Sequence, residues 1–251
     1  MHKEWLLEKR IVIIGGTAGM GLSAAIACIE EGAKVVAVGK DPELVDEAES
    51  KLKNNGVVIT GDATNETLAD QAIQACINKF GGFDGLYHVA GGSGRKFGDG
   101  PLHEITLEGW EKTLQLNLTS LMFSNRAAIK YFMNNKRRGV ILNMGSVLGF
   151  SPSPKYFSTH AYAATKSAVI GFTKAVAAYY APYNIRVNVI APSLIETPMS
   201  QRATHDEAIM QFIQTKQPLD GGRIGIPEDA DGAAVFLLSD HSKFITGQVI
   251  A

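Results

Sequence analysis

Residues 10–21 decide the fold, and they read RIVIIGGTAGMG. The apolar run 10–14 is typical of a buried strand, and the glycine-rich turn after it leads into a helical pattern near 20–31 that closes at Gly32. Glycines at such a turn let backbone N–H groups approach a pyrophosphate, whose charge the N-terminus of the following helix favours. The turn has the spacing G-x-x-x-G-x-G, through Gly15, Gly19 and Gly21, and it lacks the Lys-Ser/Thr of a P-loop. It predicts a dinucleotide site, with a plain tight connection as the alternative.

Strand-like runs alternate with helical patterns along the rest of the chain. We expect strands at 34–38, 57–60, 85–89, 139–144, 185–190 and 247–251, and helices at 42–54, 65–79, 107–133, 160–180 and 227–239. Short apolar strands separated by helices indicate a parallel sheet that is covered on both faces. The sequence therefore predicts an α/β fold: a doubly wound, Rossmann-like parallel sheet of about seven strands in three α/β/α layers. We expect a single domain over 1–251 that includes the substrate pocket, with the last strand cut short where the sequence ends.

Composition and charge exclude several classes of protein. The 251 residues include 24 Lys and Arg against 25 Asp and Glu, so the chain lacks the basic excess of a nucleic-acid binder. It contains no apolar run long enough to cross a membrane, and the charged start 1–5 is unlike a signal peptide. Cys28 and Cys76 are isolated within helical patterns, which predicts reduced core thiols. We therefore expect a soluble, cytoplasmic protein without nucleic-acid or membrane partners.

The histidines and two late aspartates give no sign of a metal site. The six histidines are scattered without ligand spacing. Asp229 and Asp231 are expected in the solvated first turn of the last helix. The sequence therefore predicts no bound metal.

Tyr162 and Lys166 form the first candidate catalytic pair. Positions i and i+4 lie on one helix face, so the ammonium group could lower the phenol pKa. A fall of about three units, worth roughly 4 kcal/mol, would make the tyrosine an acid/base near neutrality. Such a pair is common in helices, so an ordinary structural role is the alternative.

Two polar residues accompany this pair. Ser146 follows the predicted strand 139–144, where a serine is by default a turn former. The sequence around it lacks the G-x-S-x-G spacing of a nucleophile elbow, which excludes a Ser-His-Asp hydrolase of that type. Asn117 lies inside an apolar helical run, where asparagine is unfavourable, so it has either a partner or a surface position.

The order of these motifs resembles that of the short-chain dehydrogenase/reductase superfamily over essentially the whole chain. Within the superfamily, the chain is most similar to 3-oxoacyl-thioester-reductase-like members. The residues that carry the resemblance are Gly15, Gly19, Gly21, Asp62, Ala90-Gly91, Asn117, Ser146, Tyr162-x-x-x-Lys166 and Pro192.

The resemblance implies an NAD(P)(H)-dependent oxidoreductase that interconverts a secondary alcohol and a ketone, with a 3-oxoacyl thioester as one candidate substrate. Tyr162 would exchange a proton with the substrate carbonyl oxygen, and Ser146 would bind that oxygen. Lys166 would lower the pKa of Tyr162 and hold the nicotinamide ribose. Asn117 would kink its helix and hold a water that links Lys166 to solvent.

The resemblance also implies a set of cofactor contacts. NADP(H) is favoured over NAD(H), because Gly39-Lys40 follows the second strand where NAD enzymes place an acidic residue. Asp41 is the competing signal, so NAD(H) stays open. The expected contacts are Gly15, Thr17, Gly19, Met20, Gly21, Lys40, Asp62, Ala63, Ala90, Gly91, Tyr162, Lys166, Pro192, Ile195 and Thr197.

The chain departs from the family pattern at several positions. Ile14 replaces a threonine, His88 replaces an asparagine that normally bridges strands, and Ser193 replaces a glycine. The stretch between Ser146 and Tyr162 is longer than the resemblance implies, and residues 150–156 absorb the excess. This segment and the glycine-rich loop 92–100 are expected to flank the substrate pocket.

The helix that carries Tyr162 also predicts assembly. Tyr162, Lys166, Val169 and Thr173 share one face of this helix, and we expect that face to point towards the cofactor. A nearly opposite seam of small residues, which could be covered by the chain itself or by a second copy, comprises Ala161, Ala164, Ala168, Gly171, Ala175 and Ala178. The resemblance favours a second copy, so we expect a homotetramer or homodimer.

Two other functions stay open. One is a catalytically silent NAD(P)-binding regulator, against which the intact Ser146, Tyr162 and Lys166 argue. The other is a family member that acts on a sugar or steroid alcohol. A sugar epimerase or dehydratase of the extended relatives would need a longer chain.

Overall fold

The computed structural model describes residues 4–153 and 155–251. Met1, His2, Lys3 and Pro154 lie outside the described residues. The expectations that rest on the charged start, and on Pro154 within the segment 150–156, therefore fall partly outside the structure.

A parallel sheet of seven strands forms the centre of the described structure. Its order is β3-β2-β1-β4-β5-β6-β7, which confirms the doubly wound α/β fold. The order reverses between β1 and β4, and in such folds ligands bind outside the carboxyl ends of the strands at this point. The strands are β1 (Arg10–Ile14), β2 (Lys34–Gly39), β3 (Gly56–Thr60), β4 (Gly85–His88), β5 (Gly139–Met144), β6 (Ile185–Ile190) and β7 (Val249–Ile250).

Helices cover both faces of this sheet. Side chains alternate along β1, so its two faces belong to two separate hydrophobic cores. Ile11 and Ile13 pack with the helices at 19–30 and 231–238, and Val12 and Ile14 pack with the helices at 68–80 and 120–134. The helices are α1 (Gly19–Glu30), α2 (Pro42–Leu52), α3 (Leu68–Phe80), α4 (Leu107–Leu114), α5 (Ser120–Asn134), α6 (His160–Tyr180), α7 (Gln201–Thr204), α8 (Glu207–Lys216) and α9 (Asp231–Leu238).

The helical region predicted over 107–133 is interrupted at its centre, where the resemblance implies a kink at Asn117. A π-helical turn, Gln115–Thr119, separates α4 from α5, and Asn117 lies buried within it. Such turns are frequent at functional sites. The short helices α7 and α8 were not predicted, and the last helix begins with a 3-10 turn at Pro227–Ala230.

Asp231 is not in a solvated turn, contrary to the sequence prediction. It is half-buried and accepts a 2.6 Å hydrogen bond from the Ser23 hydroxyl, and burial raises the pKa of its carboxyl to about 6. Asp229 is exposed as expected, and it pairs with Arg223 at 2.6 Å.

The two cysteines are buried and unpaired with each other, as predicted. Burial raises the pKa of the Cys76 thiol to about 12, so it stays protonated at neutral pH. Within residues 4–153 and 155–251, the structure contains no helix both long and apolar enough to span a membrane. The same residues contain no group of three or more His, Cys, Asp or Glu side chains that could hold a metal ion.

Candidate active site

A cavity of about 1130 Å³ runs along the carboxyl edge of the sheet. With one exception, all the residues predicted to bind the cofactor or to act in catalysis line it. The exception is Gly21, which lies beneath the glycine-rich turn: a Cβ at this position would collide with the carbonyl oxygen of Gly15. Gly21 therefore serves close packing of α1 under the turn.

The glycine-rich turn has the backbone form that a phosphate site needs. Gly15 has a φ of +86°, and a Cβ there would lie 2.6 Å from the backbone nitrogen of Ala90. Helix α1 begins at Gly19 with no side-chain cap and no acidic residue in its first turn, so its N-terminal N–H groups face the cavity side without a charged competitor. These features fit the pyrophosphate of a dinucleotide.

Lys40 and Asp41, which follow β2, give opposite indications about the cofactor, and the structure gives them different surroundings. The carboxylate of Asp41 caps α2 by accepting a hydrogen bond from the backbone N–H of Glu43 at 3.1 Å. The ammonium of Lys40 lines the cavity, is largely exposed, and lies 4.0 Å from Asp62. The carboxylate of Asp41 is thus engaged in capping, whereas the ammonium of Lys40 faces the cavity and, among the described residues, is held only by a long, exposed ion pair with Asp62.

Asp99 fixes the start of the helix that carries Tyr162. Its buried carboxylate accepts hydrogen bonds from the backbone N–H groups of Ala161 and Tyr162, each at 3.0 Å. This bond pair ties the loop after β4 to the first turn of α6. Sequence reasoning missed Asp99; the available signal was an aspartate between two glycines, Gly98 and Gly100, in a loop already expected to flank the pocket.

Lys166 lies one turn further along α6, inside the cavity wall. Its ammonium donates a 2.9 Å hydrogen bond to the carbonyl oxygen of Met144, at the end of β5, and lies 5.4 Å from the centre of the Tyr162 ring. Val169 and Thr173 continue the same helix face into the core, so the expectation that they look at the cofactor is wrong.

The pKa values of the catalytic pair differ from the sequence prediction. Burial raises the pKa of the Tyr162 phenol to about 12, although a hydrogen bond with the Ser146 side chain acts in the opposite direction. Burial also lowers the pKa of Lys166 to about 8. The predicted lowering of the phenol pKa by Lys166 is therefore wrong in this structure, because the loss of solvation disfavours both ions. At neutral pH, Tyr162 is a protonated phenol that can donate a proton.

Ser146 is buried at the carboxyl end of β5, where the strand gives way to a 3-10 turn. Its hydroxyl oxygen accepts a hydrogen bond from the backbone N–H of Leu148 at 3.2 Å. The cavity therefore brings together the hydroxyl groups of Ser146 and Tyr162 beside the Lys166 ammonium.

Asn117 has buried partners, so the alternative of a surface position is wrong. Its amide group donates to the carbonyl oxygens of Gly92 and Thr113, at 2.8 and 2.9 Å, and accepts from the N–H of Gly92 at 3.1 Å. Asn117 thus joins the π-helical turn to the loop after β4. Its place in a water relay stays a prediction.

His88 ties the end of β4 to helix α5 in place of the expected asparagine. Its Nδ1 lies 2.8 Å from the Ser124 hydroxyl, and burial lowers its pKa to about 3, so the ring is neutral. In the neighbouring strand, Asn143 bonds both Asn125 and Thr173, which links β5 to α5 and α6.

We call the far end of the cavity, beyond Ser146 and Tyr162, the substrate end. Residues 93–96, 150–153, 199–203 and 212–217 contribute to its lining, so both segments that were expected to flank the pocket do so. Ser193, the residue in place of the usual glycine, donates a hydrogen bond to the side chain of Gln217 at 2.8 Å. That bond anchors the segment after β6 to the end of α8.

Comparisons with known proteins agree with this geometry. Residues 15–251 match the family model described as enoyl-(acyl carrier protein) reductase. The chain is 32% identical to 2-(S)-hydroxypropyl-CoM dehydrogenase 3 of Xanthobacter autotrophicus, over 98% of this chain and 95% of that protein. It is 31% identical to dehydrogenase/reductase SDR family member 4 of both Pongo abelii and Homo sapiens, over 99% of this chain and 87% of each relative.

Proposed function

The chain belongs to the short-chain dehydrogenase/reductase family, whose members are NAD(P)(H)-dependent oxidoreductases of alcohols and ketones, and from that premise we propose its catalytic residues and cofactor. Tyr162 is the general acid/base, and Ser146 binds the carbonyl oxygen. Lys166 stabilises the phenolate form of Tyr162 and would hold the nicotinamide ribose. The observation that carries this assignment is the meeting of these three side chains in one cavity with the glycine-rich turn.

In the direction of ketone reduction, Tyr162 delivers the proton. Because burial keeps the phenol protonated at neutral pH, it can donate to the carbonyl oxygen of a ketone as that oxygen gains charge. The Ser146 hydroxyl donates a second hydrogen bond to the same oxygen. A nicotinamide cofactor, when bound, would supply the hydride in this direction and accept it in the other.

Lys166 and Asn117 support this proton transfer. The Lys166 ammonium stabilises the phenolate that remains after the transfer, because it lies beside the ring and is held by the Met144 carbonyl. A pKa of about 8 lets the same group exchange protons near neutrality. Asn117 holds the loop after β4 against the helix, and we propose that a water near it completes the relay from Lys166 to solvent.

The cofactor is NADP(H) in preference to NAD(H). Support comes from the end of β2, where the exposed Lys40, 4.0 Å from Asp62, would meet a 2′-phosphate while the Asp41 carboxylate caps a helix. Gly15, Gly19 and Thr17 would hold the pyrophosphate, Asp62 and Ala63 the adenine, and the residues around Pro192 the nicotinamide.

A 3-oxoacyl thioester is our candidate substrate. The matched family description names an acyl carrier protein, and the substrate end of the cavity offers an apolar lining that includes Phe150, Phe157, Leu194 and Phe212. Such a lining suits an acyl chain.

The small-residue seam of α6 supports assembly with a second copy. Ala164, Gly171, Ala175 and Ala178 are exposed in the single chain, and a Cβ added at Gly171 would meet no atom within 4 Å. Ala161, by contrast, is buried within its own chain. We propose that α6 packs against its symmetry mate in a homodimer or homotetramer.

A ketone panel tests the proposed reaction. The protein is mixed with NADPH or NADH and with simple ketones, 3-oxo esters and a 3-oxobutanoyl thioester, and loss of reduced cofactor is measured. We expect reduction of at least one ketone, with NADPH preferred. Binding of both cofactors without turnover of any ketone would instead indicate a silent regulator.

A further inference from the structure

The charges that line the cavity are distributed unevenly. Within the described residues, its acidic lining groups are Asp41 and Asp62, which follow β2 and β3. The substrate end carries cations without a lining carboxylate, and they include Arg95, Arg202 and Lys216.

Arg95 is one of these cations. It lies in the 3-10 turn Gly94–Phe97 and is half-buried, yet its guanidinium makes no hydrogen bond or ion pair with any described residue. The negative charge of Asp99 acts on Arg95, but both carboxylate oxygens of Asp99 already accept hydrogen bonds from the first turn of α6. Arg95 and Arg202 both line the cavity, and burial and the charge of Arg202 lower the pKa of Arg95.

Arg202 approaches the same space from a different part of the chain. It lies on α7, and its Nη2 donates a 3.4 Å hydrogen bond to the backbone carbonyl of Tyr156. It has no ion pair among the described residues. Two cations from separate segments thus line the same cavity, and no carboxylate of the described residues forms an ion pair with either of them.

The other arginines of the described chain show how unusual this is. Each of five arginines forms an ion pair with an aspartate or glutamate, namely Arg10, Arg126, Arg137, Arg138 and Arg223. Arg186 has no such pair but donates to three backbone carbonyls. Partly buried guanidinium groups are normally paired, since an unpaired buried charge is costly.

We propose that Arg95 and Arg202 form an anion-binding subsite at the substrate end of the cavity, so that the physiological substrate is a ketone or alcohol that carries an anionic group. A guanidinium binds a carboxylate or a phosphate through paired hydrogen bonds, and two of them together would fix one end of the substrate while its carbonyl meets Ser146 and Tyr162. This inference rests on the proposed function. The anion is either a carboxylate of the substrate itself or a phosphate of a thioester carrier.

Matched substrate pairs test the inference and separate the two sources of the anion. In the first pair, 4-oxopentanoate is compared with its methyl ester. In the second, 3-oxobutanoyl-CoA is compared with the 3-oxobutanoyl thioester of N-acetylcysteamine, which is neutral. The measured quantity is the ratio of kcat/KM for the charged member over the neutral member of each pair.

The wild type should prefer the charged member of at least one pair, and Arg95→Gln combined with Arg202→Gln should lower that ratio on the order of 10- to 100-fold. The pair that responds identifies the carboxylate or the phosphate as the anion. Arg126→Gln is the matched control, because it removes one arginine of a surface ion pair outside the cavity and should leave both ratios unchanged. A ratio that does not fall in the double variant would overturn the inference.

Calorimetric titration with 4-oxopentanoate and with coenzyme A measures anion binding independently of ketone reduction. Weaker binding of either probe to the double variant, in a protein that reduces no ketone, would overturn the proposed function and leave the anion subsite standing. Turnover of ketones without any charge preference in the wild type would overturn the anion subsite alone. A melting curve of the double variant that matches the wild type excludes misfolding as the cause of weaker binding.

Discussion

Replacing Lys166 by methionine should stabilise the fold while it destroys the activity. The ammonium is buried, and its pKa falls from the ordinary 10.5 to about 8. That fall corresponds to roughly 3 kcal/mol of burial cost, which methionine avoids at a similar volume. The Met144 carbonyl then loses its donor, at a cost of about 1 to 2 kcal/mol. The net gain is about 1 to 2 kcal/mol, or a rise in Tm of about 2 to 8 °C for a chain of this size.

The pH dependence of this gain distinguishes the burial cost from other causes. Below pH 8 the lysine is charged in both the folded and the unfolded chain, so the folded state bears the whole cost. As the pH rises from 8 towards 10.5, the folded state releases its proton first, and the cost disappears. The advantage of Lys166→Met should therefore be largest at pH 7 and shrink towards pH 10.

Calorimetric melting curves at pH 7 and pH 10 measure this difference. Lys174→Met is the matched control, because Lys174 lies on the same helix with an exposed side chain and should show neither the gain nor its pH dependence. A Lys166→Met variant that melts below the wild type at pH 7, or whose advantage is equal at both pH values, would show that burial of the ammonium does not destabilise the fold.

Three further predictions concern the cofactor, the cap of α6 and the assembly. Lys40→Ala should lower kcat/KM for NADPH by about fivefold and leave that for NADH unchanged; a wild-type preference for NADH that persists in the variant would contradict the assignment. Asp99→Asn leaves one carbonyl oxygen for two N–H groups, so unfolding should cost about 1 to 2 kcal/mol less and kcat should fall, as melting curves and initial rates can show. Gly171→Trp should dissociate the oligomer in sedimentation at micromolar concentration without loss of fold, and a wild type that sediments as a 26.9 kDa monomer would exclude the assembly.

The features that the sequence could predict are the local ones. The strand 10–14 with its glycine-rich turn, and the alternation of strands and helices after it, follow from periodicity within short windows. The spacing of Tyr162 and Lys166 on one helix face is equally local, and Ser146 stands directly after a strand. The prediction that these groups meet at the carboxyl edge needed only the general rule for parallel sheets.

The features that the sequence could not predict depend on tertiary burial. The cap that Asp99 places on α6 joins residues 62 positions apart, and no local pattern indicates it. The sequence places the Lys166 ammonium next to Tyr162, which predicts a lowered phenol pKa. Burial of the phenol raises its pKa by more, and the sequence does not show that burial. The partner of Asn117 likewise lies in another segment, since its amide donates to the backbone carbonyl of Gly92.

The catalytic role of Tyr162 is the central claim, and Tyr162→Phe tests it most directly. The phenylalanine ring fills the same space and removes only the hydroxyl that donates the proton. With the best ketone of the panel and saturating NADPH, kcat should fall by about 10²- to 10⁴-fold, while Tm and the Kd for NADPH stay at their wild-type values. A variant that retains a tenth or more of the wild-type kcat would contradict the account.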